Sequence, residues 1–137
     1  MVRDNTFDMP LEDALTLPAM LKKAGYATAL IGKWGIGGGT ECGGNPGEST
    51  AFPDKRGFDY FFGHLDHIGA HRHYAADDPA DRRSQTGTNV IWDMHENITK
   101  SCTNSYSTDL FTARAKKWIV DHRKKSRGQP FFLALTF

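Results

Sequence analysis

Charge of one sign is what this sequence most lacks. Seventeen Lys and Arg face sixteen Asp and Glu across 137 residues, a net charge of +1. Without a basic excess there is no electrostatic footprint for nucleic acid or an anionic membrane surface. No apolar run nears the roughly 20 residues that a membrane span needs. Val2-Arg3-Asp4-Asn5 leads into no apolar segment of the signal-peptide kind. Cysteine is scarce: Cys42 and Cys102 are too few for a disulfide scaffold, and their spacing matches no C-x-x-C zinc or redox motif. They leave one bridge open, which the sequence does not decide. What remains is a chain with 39% hydrophobic and 24% charged residues, typical of a folded domain.

The first readable element starts at Thr16, a suitable helix cap. Pro18 falls in the first turn, where its missing N–H does no harm. Leu17, Met20, Leu21 and Ala24 recur at helical spacing and give one apolar stripe. Gly25 then supplies a left-handed stop. Tyr26 to Ile31 reads as a strand, apolar on both faces as a parallel strand under helices is. The glycine-rich Gly32-Lys33-Trp34-Gly35 and Gly37-Gly38-Gly39 that follow read as a loop.

Residues 40–55 are rich in Gly, Pro, Ser and Asn, an irregular connection. Phe58, Tyr60, Phe61 and Phe62 predict a short strand or packed loop. Residues 63–105 are mostly polar, with a short strand at 89–94; so long a stretch predicts small hairpins or a functional excursion. Asp109 to Lys124 reads as a second helix, capped by Ser107, Thr108 or Asp109, with Phe111, Ala115, Trp118, Ile119 and His122 on one face. Phe131 to Phe137 reads as a strand buried on both sides. The order is an α/β pattern: a mostly parallel sheet with flanking helices, incomplete at both ends.

Chemistry concentrates in a few segments. Gly32-Lys33-Trp34-Gly35 ends the first strand. Glycines admit a ligand to the backbone, and Lys33 offers a point charge with three donors, suited to phosphate or sulfate. It is not a Walker A loop: Ala27 stands where the first glycine belongs and Trp34 where Ser or Thr belongs. On pattern alone, an anion site and a structural glycine turn both remain open. His64, His67, His71 and His73 cluster with Asp59 and Asp66; spacings of three and four would put His64, His67 and His71 on one helical face, as a zinc site uses, but Gly63 and Gly69 interrupt the helix and the set matches no known zinc spacing. Polar-loop histidines are the competing reading. Asp77-Asp78 offers hard oxygen ligands, or only a solvated turn. Asn97-Ile98-Thr99 is a glycosylation sequon.

Three blocks, in order, resemble the type I sulfatase (arylsulfatase) family of the alkaline-phosphatase-like superfamily. Thr16 to Trp34 resembles its helix–strand–GKW signature. Arg56-Gly57-Phe58-Asp59-Tyr60-Phe61-Phe62-Gly63 resembles its GFD block. Tyr106 to Phe111, continued to Pro130-Phe131-Phe132-Leu133, resembles the helix and PFFL strand after it. The resemblance implies a partial alkaline-phosphatase-like sandwich, with residues 1–137 as the central part of a catalytic domain. It also implies sulfuric ester hydrolysis by a formylglycine nucleophile and Ca2+ on a sulfate-ester small molecule or sulfated glycan. The whole protein would then be periplasmic, lysosomal or secreted.

By that resemblance, Lys33 is a catalytic, substrate-binding cation that neutralises sulfate, and His67 is a substrate contact. Many members carry a histidine two residues after the lysine, where this chain has Gly35. The formylglycine motif C/S-x-P-x-R is absent: Cys42 precedes Gly43-Gly44-Asn45, and Cys102 precedes Thr103-Asn104-Ser105. No residue here maps to the family's calcium ligands, and the chain alone is expected to be inactive. Two alternatives stand beside this reading: a non-catalytic module binding sulfate or sulfated glycan, and a metal-binding protein built on the histidine cluster.

Overall fold

The structure, a computed structural model, describes residues 15–36, 51–65, 67, 69–71, 73–75 and 90–137. Expectations for Gly37–Gly39, Cys42, Asp66, Asp77, Asp78 and Asn89 lie outside these residues. Helix α1 spans Leu17–Lys23 and leads into strand β1, Ala27–Lys33. A 3-10 turn at Pro53–Arg56 precedes β2, Tyr60–His64. The hairpin of β3 (Trp92–Asp93) and β4 (Glu96–Asn97) comes next. Then follow the short α2 (Thr99–Cys102), the long α3 (Ser107–Lys125) and β5 (Phe131–Thr136).

The strands form one five-stranded sheet in the order β4-β3-β2-β1-β5. Strand β1 is central and runs parallel to both β2 and β5, while β3 and β4 add antiparallel. This is the mostly parallel sheet with flanking helices that the sequence predicts. Side chains alternate across it. Ile31 and Phe62 face the layer of Phe111 and Ala115 from α3. Leu30 and Phe61 face Phe52, Phe58 and Leu65. Phe61 and Phe62 are fully buried, each contributing about 1.5–3 kcal/mol by leaving water.

Helix α3 is the crossover that parallel pairing requires. Its Phe111 packs on Phe62 and His64, at 6.2 and 5.4 Å between ring centroids. Seven residues later, Trp118 meets Phe131 at the start of β5. The helix therefore runs from the carboxyl end of the sheet back to the amino end. Arg114 staples it down, donating to Asp93 at 2.9 Å and lying 4.1 Å over the Phe62 ring. Tyr60 donates to Asp93 at 3.0 Å, and burial is the main cause of its raised phenol pKa.

Several expectations need correction. The cap at Thr16 is present: its hydroxyl accepts from the Ala19 N–H at 3.3 Å and donates to the Arg56 carbonyl at 2.6 Å. Yet Leu17 and Met20 are exposed, and Pro18 is the buried residue of α1. The Arg56 anchor and the close packing of Ala19 on Gly57 turn the helix, so the predicted stripe faces outward. None of Ser107, Thr108 or Asp109 caps α3, which begins after Tyr106. The Ser107 N–H instead donates to the His73 carbonyl at 2.7 Å. Strand β5 was expected to be covered on both sides. Among the described residues it pairs only with β1, and Phe131 and Leu135 are partly exposed.

Asp59, a member of the predicted histidine–carboxylate cluster, is structural. Its carboxylate accepts from the Thr28 N–H and hydroxyl at 2.9 and 3.0 Å and pairs with Lys22 at 2.6 Å. Burial opposes its charge, but the bonds from Lys22 and Thr28 outweigh it and hold its pKa below the ordinary value. The GFD block thus clamps the amino ends of β1 and β2, opposite to where Lys33 sits. Cys102 is a buried thiol in the α3-facing core, and burial pushes its pKa up. Asn97 of the sequon precedes α2, and its side-chain oxygen accepts from the Thr99 N–H and hydroxyl at 3.0 and 2.6 Å.

Candidate active site

Lys33 is not in a loop, as its glycine neighbours predict, but is the last residue of β1. The reason lies in the facing strands. Gly32 pairs with Gly63 on one side and Thr136 on the other. A Cβ on Gly32, at φ +118°, would lie 1.6 Å from the Thr136 carbonyl oxygen, and one on Gly63 would lie 1.9 Å from the Gly32 oxygen. Only hydrogen at these positions lets three strands stay paired to their carboxyl ends. The Thr136 hydroxyl then donates to the Lys33 carbonyl at 2.7 Å and fixes that end.

Pairing continues past the strands. The Trp34 N–H donates to the His64 carbonyl at 2.8 Å, and the Gly35 N–H to the Leu65 carbonyl at 3.1 Å. The Trp34 indole N–H donates to the Ala51 carbonyl at 2.9 Å, and its ring meets Phe58 edge-on at 5.9 Å. Trp34 therefore holds the turn rigid and leaves Lys33 as the half-buried cation above it. Among the described residues no carboxylate forms an ion pair with Lys33.

Gly35, at φ +70°, occupies the left-handed region. A Cβ there would lie 3.6 Å from His67 Nδ1 and 3.9 Å from Lys33 Cγ. The two residues predicted to contact substrate, Lys33 and His67, therefore meet around Gly35. The His67 imidazole takes up the side of Gly35 where a side chain would project.

The histidine cluster does not converge. His64 is buried, with Nδ1 3.0 Å from the Val90 carbonyl and its ring against Phe111. His71 packs edge-on against His67 at 5.1 Å, whereas His73 lies on Tyr106 at 5.0 Å. Among the described residues, no three His, Cys, Asp or Glu side chains gather as a metal site. The histidine-zinc reading gains no support.

Sequence reasoning also missed a relationship. His64 is the register partner of Lys33, so Gly32-Lys33 and Gly63-His64 end adjacent strands side by side. The repeated glycine–basic dipeptide at the end of two apolar runs was the available signal.

The fold is thus an α/β domain with a mostly parallel sheet, whose central strands end in glycines with Lys33 and His67 beside Gly35. Comparison with known proteins specifies it. The Sulfatase family model matches residues 4–137. Mouse arylsulfatase J is 33% identical over 132 residues, covering 94% of this chain and 19% of its own. The crystal structure of Ps i-CgsB superposes with a TM-score of 0.66 at 19% identity, over 96% of this chain and 30% of that one. Its complex with k-i-k-neocarrahexaose gives 0.63 at 18% identity, over the same shares of 96% and 30%. The chain belongs to the sulfatase family, and its fold is the alkaline-phosphatase-like one of those neighbours. It spans about a fifth of the length of the curated relative, 19%. No helix among the described residues is long and apolar enough to cross a membrane.

Proposed function

We propose that residues 1–137 form the central part of a sulfatase catalytic domain and supply its sulfate-neutralising cation, Lys33. The whole protein would hydrolyse a sulfate ester, on a small molecule or a sulfated glycan. One observation carries the reading: a lysine at the carboxyl end of the central parallel strand, held by a glycine-lined rim and meeting His67 around Gly35. Sulfuryl transfer moves negative charge onto oxygens that a fixed ammonium stabilises without reorganising. The half-buried position strengthens that attraction over its value in water. His67, beside it, would donate a ring N–H to an ester oxygen.

In the whole sulfatase, Ca2+ would orient the sulfate and a formylglycine would supply the nucleophile. The described residues do not fit either group. No three His, Cys, Asp or Glu side chains gather among them, and neither cysteine lies in a C/S-x-P-x-R sequence. No step is therefore assigned through calcium or formylglycine, and the contribution of these residues is to bind and neutralise. The reading predicts no turnover of a chromogenic aryl sulfate by this chain with calcium. Turnover that Lys33→Ala abolishes would contradict that division of roles.

A further inference from the structure

We propose that His73, Tyr74 and Tyr106 form a stacking subsite for a sugar ring beside the anion site. The proposal rests on the sulfate-ester reading and narrows its substrate to a sulfated oligosaccharide.

The three rings form one exposed group. Tyr106 lies 5.7 Å from Tyr74 and 5.0 Å from His73, between ring centroids. Tyr74 is 58% exposed and Tyr106 37%. The backbone holds them there: residues 74 and 106 form an antiparallel bridge, and the Ser107 N–H donates to the His73 carbonyl. Backbone pairing thus keeps part of both tyrosine rings at the surface. Large rigid rings with polar tips, ordered in advance, are what a binding surface uses.

Their position relates them to Lys33 by two routes. His64, the register partner of Lys33, packs on Phe111. Tyr106 precedes Phe111 by five residues, about 7 Å further out along the helix axis at 1.5 Å per residue. The second follows the chain: His67 beside Gly35 packs on His71, and His73, two residues further on, lies on Tyr106. The shelf thus stands beyond the carboxyl ends of the strands, on the same rim as the cation.

The ring chemistry selects the occupant. A pyranose has one apolar C–H face and a hydroxyl rim. A tilted pair of tyrosines matches both, with ring faces for the C–H groups and phenol and imidazole groups for the hydroxyls. A small aryl sulfate seated on Lys33 would leave the shelf empty. A chain of sugars carrying the sulfate would reach it.

Three probes test this by calorimetry or NMR titration: sodium sulfate, a sulfated galactan hexasaccharide and its desulfated counterpart. Tyr74→Ala and Tyr106→Ala should each weaken both hexasaccharides about tenfold, which corresponds to 1.4 kcal/mol, and leave sulfate unchanged. Tyr74→Phe, which keeps the ring, should retain most of the affinity, so simple misfolding would be visible. Lys33→Ala should weaken sulfate and the sulfated hexasaccharide but spare the desulfated one. Hexasaccharides that do not bind the native chain, or that bind both alanine variants as well as the native chain, would overturn the shelf. Sulfate binding that ignores Lys33→Ala would instead overturn the sulfate reading, while the desulfated probe still reports on the shelf.

Discussion

Lys33 and His64 stand side by side at the carboxyl ends of two parallel strands, in register through the glycine pair beneath them. That relationship ties fold to function. The glycines permit the pairing, the pairing fixes the strand ends, and the strand ends present the cation.

The glycine row gives the first prediction. Gly32→Ala would force a methyl group onto the Thr136 carbonyl, 1.6 Å away. The two nearest atoms are the Thr136 carbonyl oxygen and carbon, backbone that a rotamer change cannot move. We expect a loss of about 3 kcal/mol, the upper range for overpacking, measured by urea unfolding. A loss below about 0.5 kcal/mol would mean that β5 does not pair with β1 at this point.

Gly35 gives the second. Valine at φ +70° pays the left-handed strain, about 1–2 kcal/mol. Its branches also reach the space of His67, since a Cβ alone is already 3.6 Å from Nδ1. Gly35→Val should lower the melting temperature and shift the His67 imidazole NMR signals. Unmoved His67 signals in a folded variant would separate the two residues.

Asp59 gives a pH dependence. Its folded pKa lies below its unfolded value, which is about 3.9 for a free Asp. The stability it contributes is therefore complete above that value and is lost as pH falls through the folded pKa. Because Lys22 and Asp59 side chains are 50% and 41% exposed, solvent screens the ion pair. Asp59→Asn should cost about 1 kcal/mol at pH 7, mainly through the Thr28 bonds. It should also flatten the acid limb of the stability curve below about pH 4. An unchanged acid limb would contradict the clamp.

How much of this was legible in the sequence depends on the range of the forces. The ends of α1 were readable because a cap, an early proline and Gly25 act within one turn. Its buried face was not, because Arg56 and Gly57, nearly forty residues on, decide how the helix rotates. Lys33 was read as loop because local glycine content signals a break, whereas pairing with Gly63 and Thr136 is non-local. Lys33 and His67 were nameable from the family blocks, but their meeting around Gly35 was not. The histidine spacing suggested a cluster only because spacing carries no direction: His64 is buried in the core, whereas His73 is exposed and lies on Tyr106.

Strand β5 gives a prediction about association. Among the described residues its outer edge carries no partner strand, and Leu135 is 39% exposed. An apolar, unpaired edge invites pairing with another chain. Leu135→Lys should slow aggregation at high concentration, followed by light scattering. Equal aggregation of both forms would place the sticky surface elsewhere.

The central claim is that Lys33 holds a sulfate oxyanion. Titrating sodium sulfate against 15N-labelled chain, at constant ionic strength with chloride, tests it most directly. The account predicts saturable shifts confined to residues 32–36, 64–67 and 136, abolished by Lys33→Ala and preserved in Lys22→Ala. Shifts that are unsaturable, or equal in both variants, would contradict it.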